Sequence, residues 1–210
     1  MNADQRKRFC VAVSDISRRI VYLLAVSLVL ASCTQLPRGI QPISGFEIDR
    51  YLGTWYEIAR LDHRFEKGLN NVTANYALRK DGGIDVINRG YSTKNKRWKE
   101  AQGKAYFVDD KQKGHLQVSF FGPFYSSYVI FELDKGDYQY AFVSGYNRDY
   151  LWLLARKPRV DEETIERFLD RSKSLGFDTD EIIFVTQDRA DIFQTGQKQC
   201  IPDTVCVCAL

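Results

Sequence analysis

From Tyr51 to Lys157 the chain is a succession of short strand-like runs, and this leaves few folds open. The runs lie coarsely at 54–62, 71–80, 84–92, 101–109, 115–121, 127–134, 137–146 and 150–156, each ended by turn residues. Asp81-Gly82-Gly83 is a hairpin signal between the second and third. A crossover between parallel strands needs a dozen residues or more, and most of these intervals are shorter. The predicted sheet is therefore antiparallel and runs up and down.

Alternation sets which way its faces point. Val72, Ala74, Tyr76 and Leu78 share one side, opposite Thr73, Asn75, Ala77 and Arg79. Leu116, Val118 and Phe120 likewise oppose Gln117, Ser119 and Phe121. An apolar interior under a wet exterior fits this pattern, whereas an outer-membrane pore needs the reverse. With 13 Phe and 12 Tyr against one Met, composition also favours strands over a helical bundle. After the eighth run, "DEETIERFLDRSKSLGF" (161–177) reads as one helix. Asp161 is its N-cap, Glu162 and Glu163 favour the positive dipole end, and Gly176 supplies the stop. Ile165, Phe168, Leu169 and Leu175 form its apolar stripe. A last run, "EIIFVTQ" (181–187), follows. The expected fold is all-β: a closed eight-stranded antiparallel barrel over 46–188, with one C-terminal α-helix packed outside and a short ninth strand. A barrel of eight strands holds one small ligand at most.

The first 32 residues belong to a different problem. Arg18-Arg19 ends a basic n-region, and "IVYLLAVSLVLAS" (20–32) is apolar but shorter than the roughly 20 residues that span a bilayer. The net charge of +3 originates in this leader, and the remainder is near neutral. No basic patch argues for nucleic acid as a partner. Leu30-Ala31-Ser32-Cys33 resembles the lipobox of bacterial lipoproteins, with an uncleaved membrane anchor as the alternative. The resemblance implies a diacylglyceryl group on the Cys33 thiol and cleavage before it. Thr34, where an aspartate would signal inner-membrane retention, implies anchoring in the outer membrane facing the periplasm. Residues 33–45, with Pro37 and Pro42, read as a lipidated tether. Cys200, Cys206 and Cys208 sit in an aperiodic tail, 189–210, read as unstructured.

Several segments then converge on one family. Gly53-Thr54-Trp55-Tyr56 resembles the G-x-W signature of the lipocalin first strand. Asp149 to Pro158, "DYLWLLARKP", is similar to the eighth-strand segment with its motif arginine, Arg156. "NRGY" (88–91), "GKA" (103–105) and "FFGPFY" (120–125) resemble the bacterial branch of the lipocalins. The region 133–140, "LDKGDYQY", departs from the usual second motif, lacking its threonine and its tyrosine spacing. The resemblance implies that Gly53, Trp55 and Arg156 close one end of the barrel, with the arginine packed across the indole.

Ligand contacts should then come from inward positions nearer the other end. By alternation these are Tyr76, Phe107, Phe120, Phe131, Tyr140 and Trp152, an aromatic lining suited to acyl chains. His63 and His115 lack suitably spaced partners, so they read as loop or surface residues, and no metal site or cofactor is expected. Trp98 in the basic turn "KNKRWKE" reads as exposed. No cysteine lies between 34 and 199, and no nucleophile elbow is present, so no catalytic residue is assigned. The expected function is binding of fatty acids or lysophospholipids in the envelope, with a homodimer left open. An enzyme on the same scaffold and a structural lipoprotein with a filled barrel are the alternatives.

Overall fold

The computed structural model describes residues 34–189. A one-turn helix, α1 (Ile48–Tyr51), leads into eight strands: β1 (Gly53–Leu61), β2 (Leu69–Leu78), β3 (Ile84–Ser92), β4 (Arg97–Phe107), β5 (His115–Phe121), β6 (Phe124–Leu133), β7 (Tyr140–Ser144) and β8 (Leu151–Ala155). Every neighbour pairs antiparallel, and β1 pairs with both β2 and β8, which closes the barrel. Helix α2 (Glu162–Ser174) and β9 (Ile182–Phe184) follow, β9 adding to β1 beyond the seam. The barrel, outer helix and ninth strand are as the sequence predicts.

Two apolar layers hold this architecture. Inside, Trp55, Tyr76, Ile84, Val86, Leu116 and Ile130 belong to one cluster. Outside, Phe142, Leu153, Phe168 and Phe177 belong to a second, between the β6–β8 face and α2. Phe168 is fully buried and meets the Phe142 ring edge-on at 5.1 Å. Full burial of such a side chain stabilises by roughly 1.5–3 kcal/mol. The helix is started by the Asp161 carboxylate, which accepts from the Thr164 N–H at 2.8 Å. It is stopped by Gly176 at φ +81°, a left-handed residue past the C-cap.

β-Bulges break the alternation at two consequential places. In β1 the register shifts between Glu57 and Ala59, so Ile58 and Ala59 both join the outer cluster and Arg60 turns inward. In β6 it shifts between Ile130 and Glu132. Phe131 shares the outer face with Val129 by plain alternation, and the shift lets Ile130 and Leu133, three residues apart, both stay inside.

The tether expected over 33–45 is corrected where it is described. Ile40 is fully buried in the outer cluster, and Ile43 exchanges backbone hydrogen bonds with Ile130 and Gly114 at 2.9 and 3.0 Å. A Cβ on Gly114 would stand 2.8 Å from the Ile43 side chain, so a glycine is needed for this approach. Leu36, Ile40 and Ile43 are scattered among prolines and glycines, which hid their common role. The signal peptide (1–32), Cys33 and the tail beyond residue 189 lie outside the described residues.

Candidate functional site

Strand direction gives the barrel two ends. β1 starts, and β8 finishes, at the end covered by α1. There Trp55 is fully buried, its indole N–H donates to the Tyr51 carbonyl at 2.8 Å, and the Tyr51 ring lies 4.5 Å above it. The Arg156 guanidinium carbon stands over the same indole, 4.0 Å from the ring centroid. That guanidinium donates to the Thr54 and Arg50 carbonyls at 3.0 and 2.6 Å. Gly53 adopts φ +91° beneath it, a conformation that disfavours any side chain. Gly53, Trp55 and Arg156 thus meet at one closed end.

Above this floor is a cavity of about 100 Å³. Its walls are largely apolar, with Ile84, Val86, Leu116, Val118 and Phe120 among them. One polar feature crosses it: Tyr128 Oη lies 2.7 Å from Tyr51 Oη and 2.9 Å from Tyr76 Oη. Burial pushes all three phenols above their ordinary range, so they remain neutral hydroxyls at physiological pH.

The other end is closed by the β1–β2 loop and a buried charge cluster. Arg60 is 1% exposed and donates to Glu57 Oε1 at 2.6 Å, to Asp62 Oδ1 at 3.2 Å, and to the Glu66 and Leu69 carbonyls. Glu66 turns inward from the loop and accepts from the Trp152 indole N–H at 3.0 Å. His63 Nε2 lies 2.9 Å from the same oxygen, its ring set against those of Tyr150 and Trp152. Burial, and then the Glu66 charge, push the Glu57 carboxyl well above the usual carboxylate range. Burial acts on Glu66 in the same sense, but His63, the Trp152 N–H and Arg60 outweigh it and hold that carboxyl low. The two carboxyls are thus pushed in opposite directions, and both stand in the cavity wall.

Of the six positions expected to meet a ligand, Tyr76, Phe120 and Trp152 line the cavity. Phe107 joins the inner cluster against Phe46, rings 6.1 Å apart, and stands off the cavity. Phe131 and Tyr140 require correction. Phe131 stacks on Phe177 and Tyr140 on Phe142, both outside the barrel, because Phe131 alternates with the inward Ile130 and because Ala141 and Val143 take the inward positions of β7. The histidines also differ from expectation. His63 and His115 are both largely buried, His115 beside Ser127. Trp98 is half-buried against Tyr91, its partner across the β3–β4 pair.

Sequence reasoning missed Glu57, Arg60, Glu66, Asn88 and Tyr128. Glu57 was within reach, since it sits two residues after Trp55 and shares its parity on a strand. Arg60 was not, because the bulge reverses its parity. At the rim, Phe121 and Phe124 are each 71% exposed and Phe65 is 56% exposed, giving the mouth an apolar edge.

Comparison with known proteins agrees with this geometry. The family model for the lipocalin-like domain matches residues 46–187. The outer membrane lipoprotein Blc of Vibrio cholerae is 55% identical over 169 residues, 80% of this chain and 99% of that protein. Its Escherichia coli K12 namesake is 47% identical over 163 residues, 78% of this chain and 92% of that protein. Among solved structures, insecticyanin from the tobacco hornworm superposes with a TM-score of 0.58 at 18% identity. That alignment covers 72% of this chain and 86% of that one, and it speaks to fold alone. With the barrel, its Trp55–Arg156 closure and these matches together, the chain belongs to the lipocalin-like family.

Proposed function

We propose that this protein is an outer-membrane lipoprotein that binds a single-chain lipid, a fatty acid or a lysophospholipid, inside its barrel. The observation that carries the reading is the largely apolar cavity enclosed between the Trp55 floor and the Glu66–Trp152 mouth. Transfer of each methylene from water into such a wall is worth about 0.8 kcal/mol, so a long chain binds without any catalytic group. Relatives named outer membrane lipoprotein, together with the Leu30–Cys33 lipobox, support anchoring through Cys33. The exposed Phe65, Phe121 and Phe124 at the rim suit a mouth that exchanges ligand with a lipid surface.

A cavity of about 100 Å³ is smaller than the roughly 300–1,000 Å³ of ordinary ligand pockets. Entry of a chain therefore requires movement of wall aromatics or of the loop bearing Glu66. The same observation favours one second reading, a structural lipoprotein whose barrel is filled by its own side chains. Native mass spectrometry of the processed chain after exposure to an envelope lipid extract separates the two. One retained lipid per chain is expected, and retention of none, with no quenching of tryptophan fluorescence by any acyl ligand, gives the filled barrel. Turnover of a retained lipid would instead mark an enzyme. For the anchor, a Cys33→Ala variant should lose both processing and outer-membrane fractionation.

A further inference from the structure

Resting on the lipid-binding reading, we propose that the mouth end of the cavity is a subsite for a cationic, hydrogen-bond-donating head group. The occupant would be an amphiphile carrying a primary ammonium, its chain directed at the apolar wall and its nitrogen at Glu57 and Glu66.

Two carboxyls and a carboxamide stand among the polar groups presented to the cavity, beside the three tyrosine hydroxyls. Glu57 and Glu66 both line it. So does Asn88, whose Oδ1 is buried without a hydrogen-bond partner. A buried acceptor left unpaired keeps the cost of its lost water, and a donor arriving with the ligand would recover that. The His63 side chain, only 9% exposed, sets its Nε2 2.9 Å from the Glu66 carboxylate.

Among the cavity-lining residues none is Lys or Arg. The guanidinium buried at this end, Arg60, already gives its N–H groups to Glu57, Asp62 and two backbone carbonyls. Arg156 is at the far end, outside Trp55, with its N–H groups on the Thr54 and Arg50 carbonyls. Glu57 and Glu66 are the only Asp, Glu, Lys or Arg side chains in the cavity lining. In a low-dielectric pocket such a lining favours an ammonium over a carboxylate.

Three ligands of equal chain length give the test: dodecylamine, dodecanol and dodecanoate, each kept below its micellar concentration. Binding to the full processed chain is read at neutral pH by tryptophan fluorescence, with stoichiometry from native mass spectrometry. Dodecylamine should bind one-to-one and at least about tenfold more tightly than dodecanoate, with dodecanol between them. Glu57→Gln with Glu66→Gln should erase the preference while circular dichroism shows a folded barrel. Should that double variant not fold, Asn88→Leu, which keeps both acids, should cut dodecylamine affinity several-fold and leave dodecanoate unchanged. Equal affinities, or tighter binding of dodecanoate, overturn the head-group subsite and leave lipid binding standing. Retention of none of the three overturns both.

Discussion

Each end of the barrel is stoppered by an arginine, and the two are held in opposite ways. Arg156 lies on the neutral face of Trp55 and donates only to backbone carbonyls. Arg60 is inside the wall, bound by Glu57 and Asp62 in a cluster that also holds Glu66 and His63. The first closure contains no carboxylate and is indifferent to pH over the range where proteins work. The second contains several groups that titrate, and it keeps them buried only while their charges match. A floor can be permanent, whereas a mouth through which a ligand must pass is built from contacts that a change of charge loosens.

The sharpest way to break this contrast is to damage each end equally and compare the pH response. Trp55→Ala should cost about 3–5 kcal/mol in urea unfolding, with little change between acid and neutral pH. Arg60→Met should cost a similar amount, about 3–5 kcal/mol, at neutral pH because it strands buried carboxylates. That loss should shrink toward acid, where the carboxylates protonate. A pH-independent loss for Arg60→Met would show that the mouth is held by packing and not by charge.

Smaller changes sharpen it further. Arg156→Lys keeps the charge but loses the fork that spans two carbonyls and the flat contact on Trp55. It should cost up to about 2 kcal/mol in thermal unfolding, again without a pH signature. At the mouth the two glutamates should act with opposite sign. The folded pKa of Glu57 is raised, so its contribution to stability is full below its unfolded value and is lost as pH rises through the folded one. Glu57→Gln should therefore gain on the parent protein as pH rises. The folded pKa of Glu66 is lowered, so its contribution is present above the unfolded value and lost as pH falls through the folded one. Glu66→Gln should be the weaker protein at neutral pH and approach its parent in acid. Each effect is on the order of 1 kcal/mol per unit of pKa difference, read from unfolding free energies across pH. The smallest change is expected at the rim: Phe121→Ser with Phe124→Ser should alter stability by less than about 0.5 kcal/mol while reducing adsorption to lipid vesicles.

Much of the floor was legible in the sequence because its parts are local or carried by a motif. Gly53 and Trp55 begin a regular strand, and Arg156 follows another, so parity and resemblance both apply. The mouth was not legible. Arg60 faces inward only because β1 is bulged, and Glu66 belongs to a loop with no period to read. Phe131 failed because the shift in β6 breaks the two-residue spacing that would put it on the same face as the inward Leu133. Tyr140 failed differently, since alternation says which residues share a face but not which face is inside.

What the sequence determined by itself was the architecture. Eight short runs with turn residues between them, one capped amphipathic helix and a tryptophan–arginine pair leave a closed antiparallel barrel as the outcome. These are near-neighbour properties, written in spacing. What the tertiary structure alone decided was the content of the barrel: a cavity of about 100 Å³, an unpaired Asn88 oxygen in its wall, and two buried carboxyls driven apart in pKa by the groups around Glu66. Burial and charge proximity depend on which distant segments meet, and Glu57, Glu66, Asn88 and Trp152 meet only when the sheet has closed.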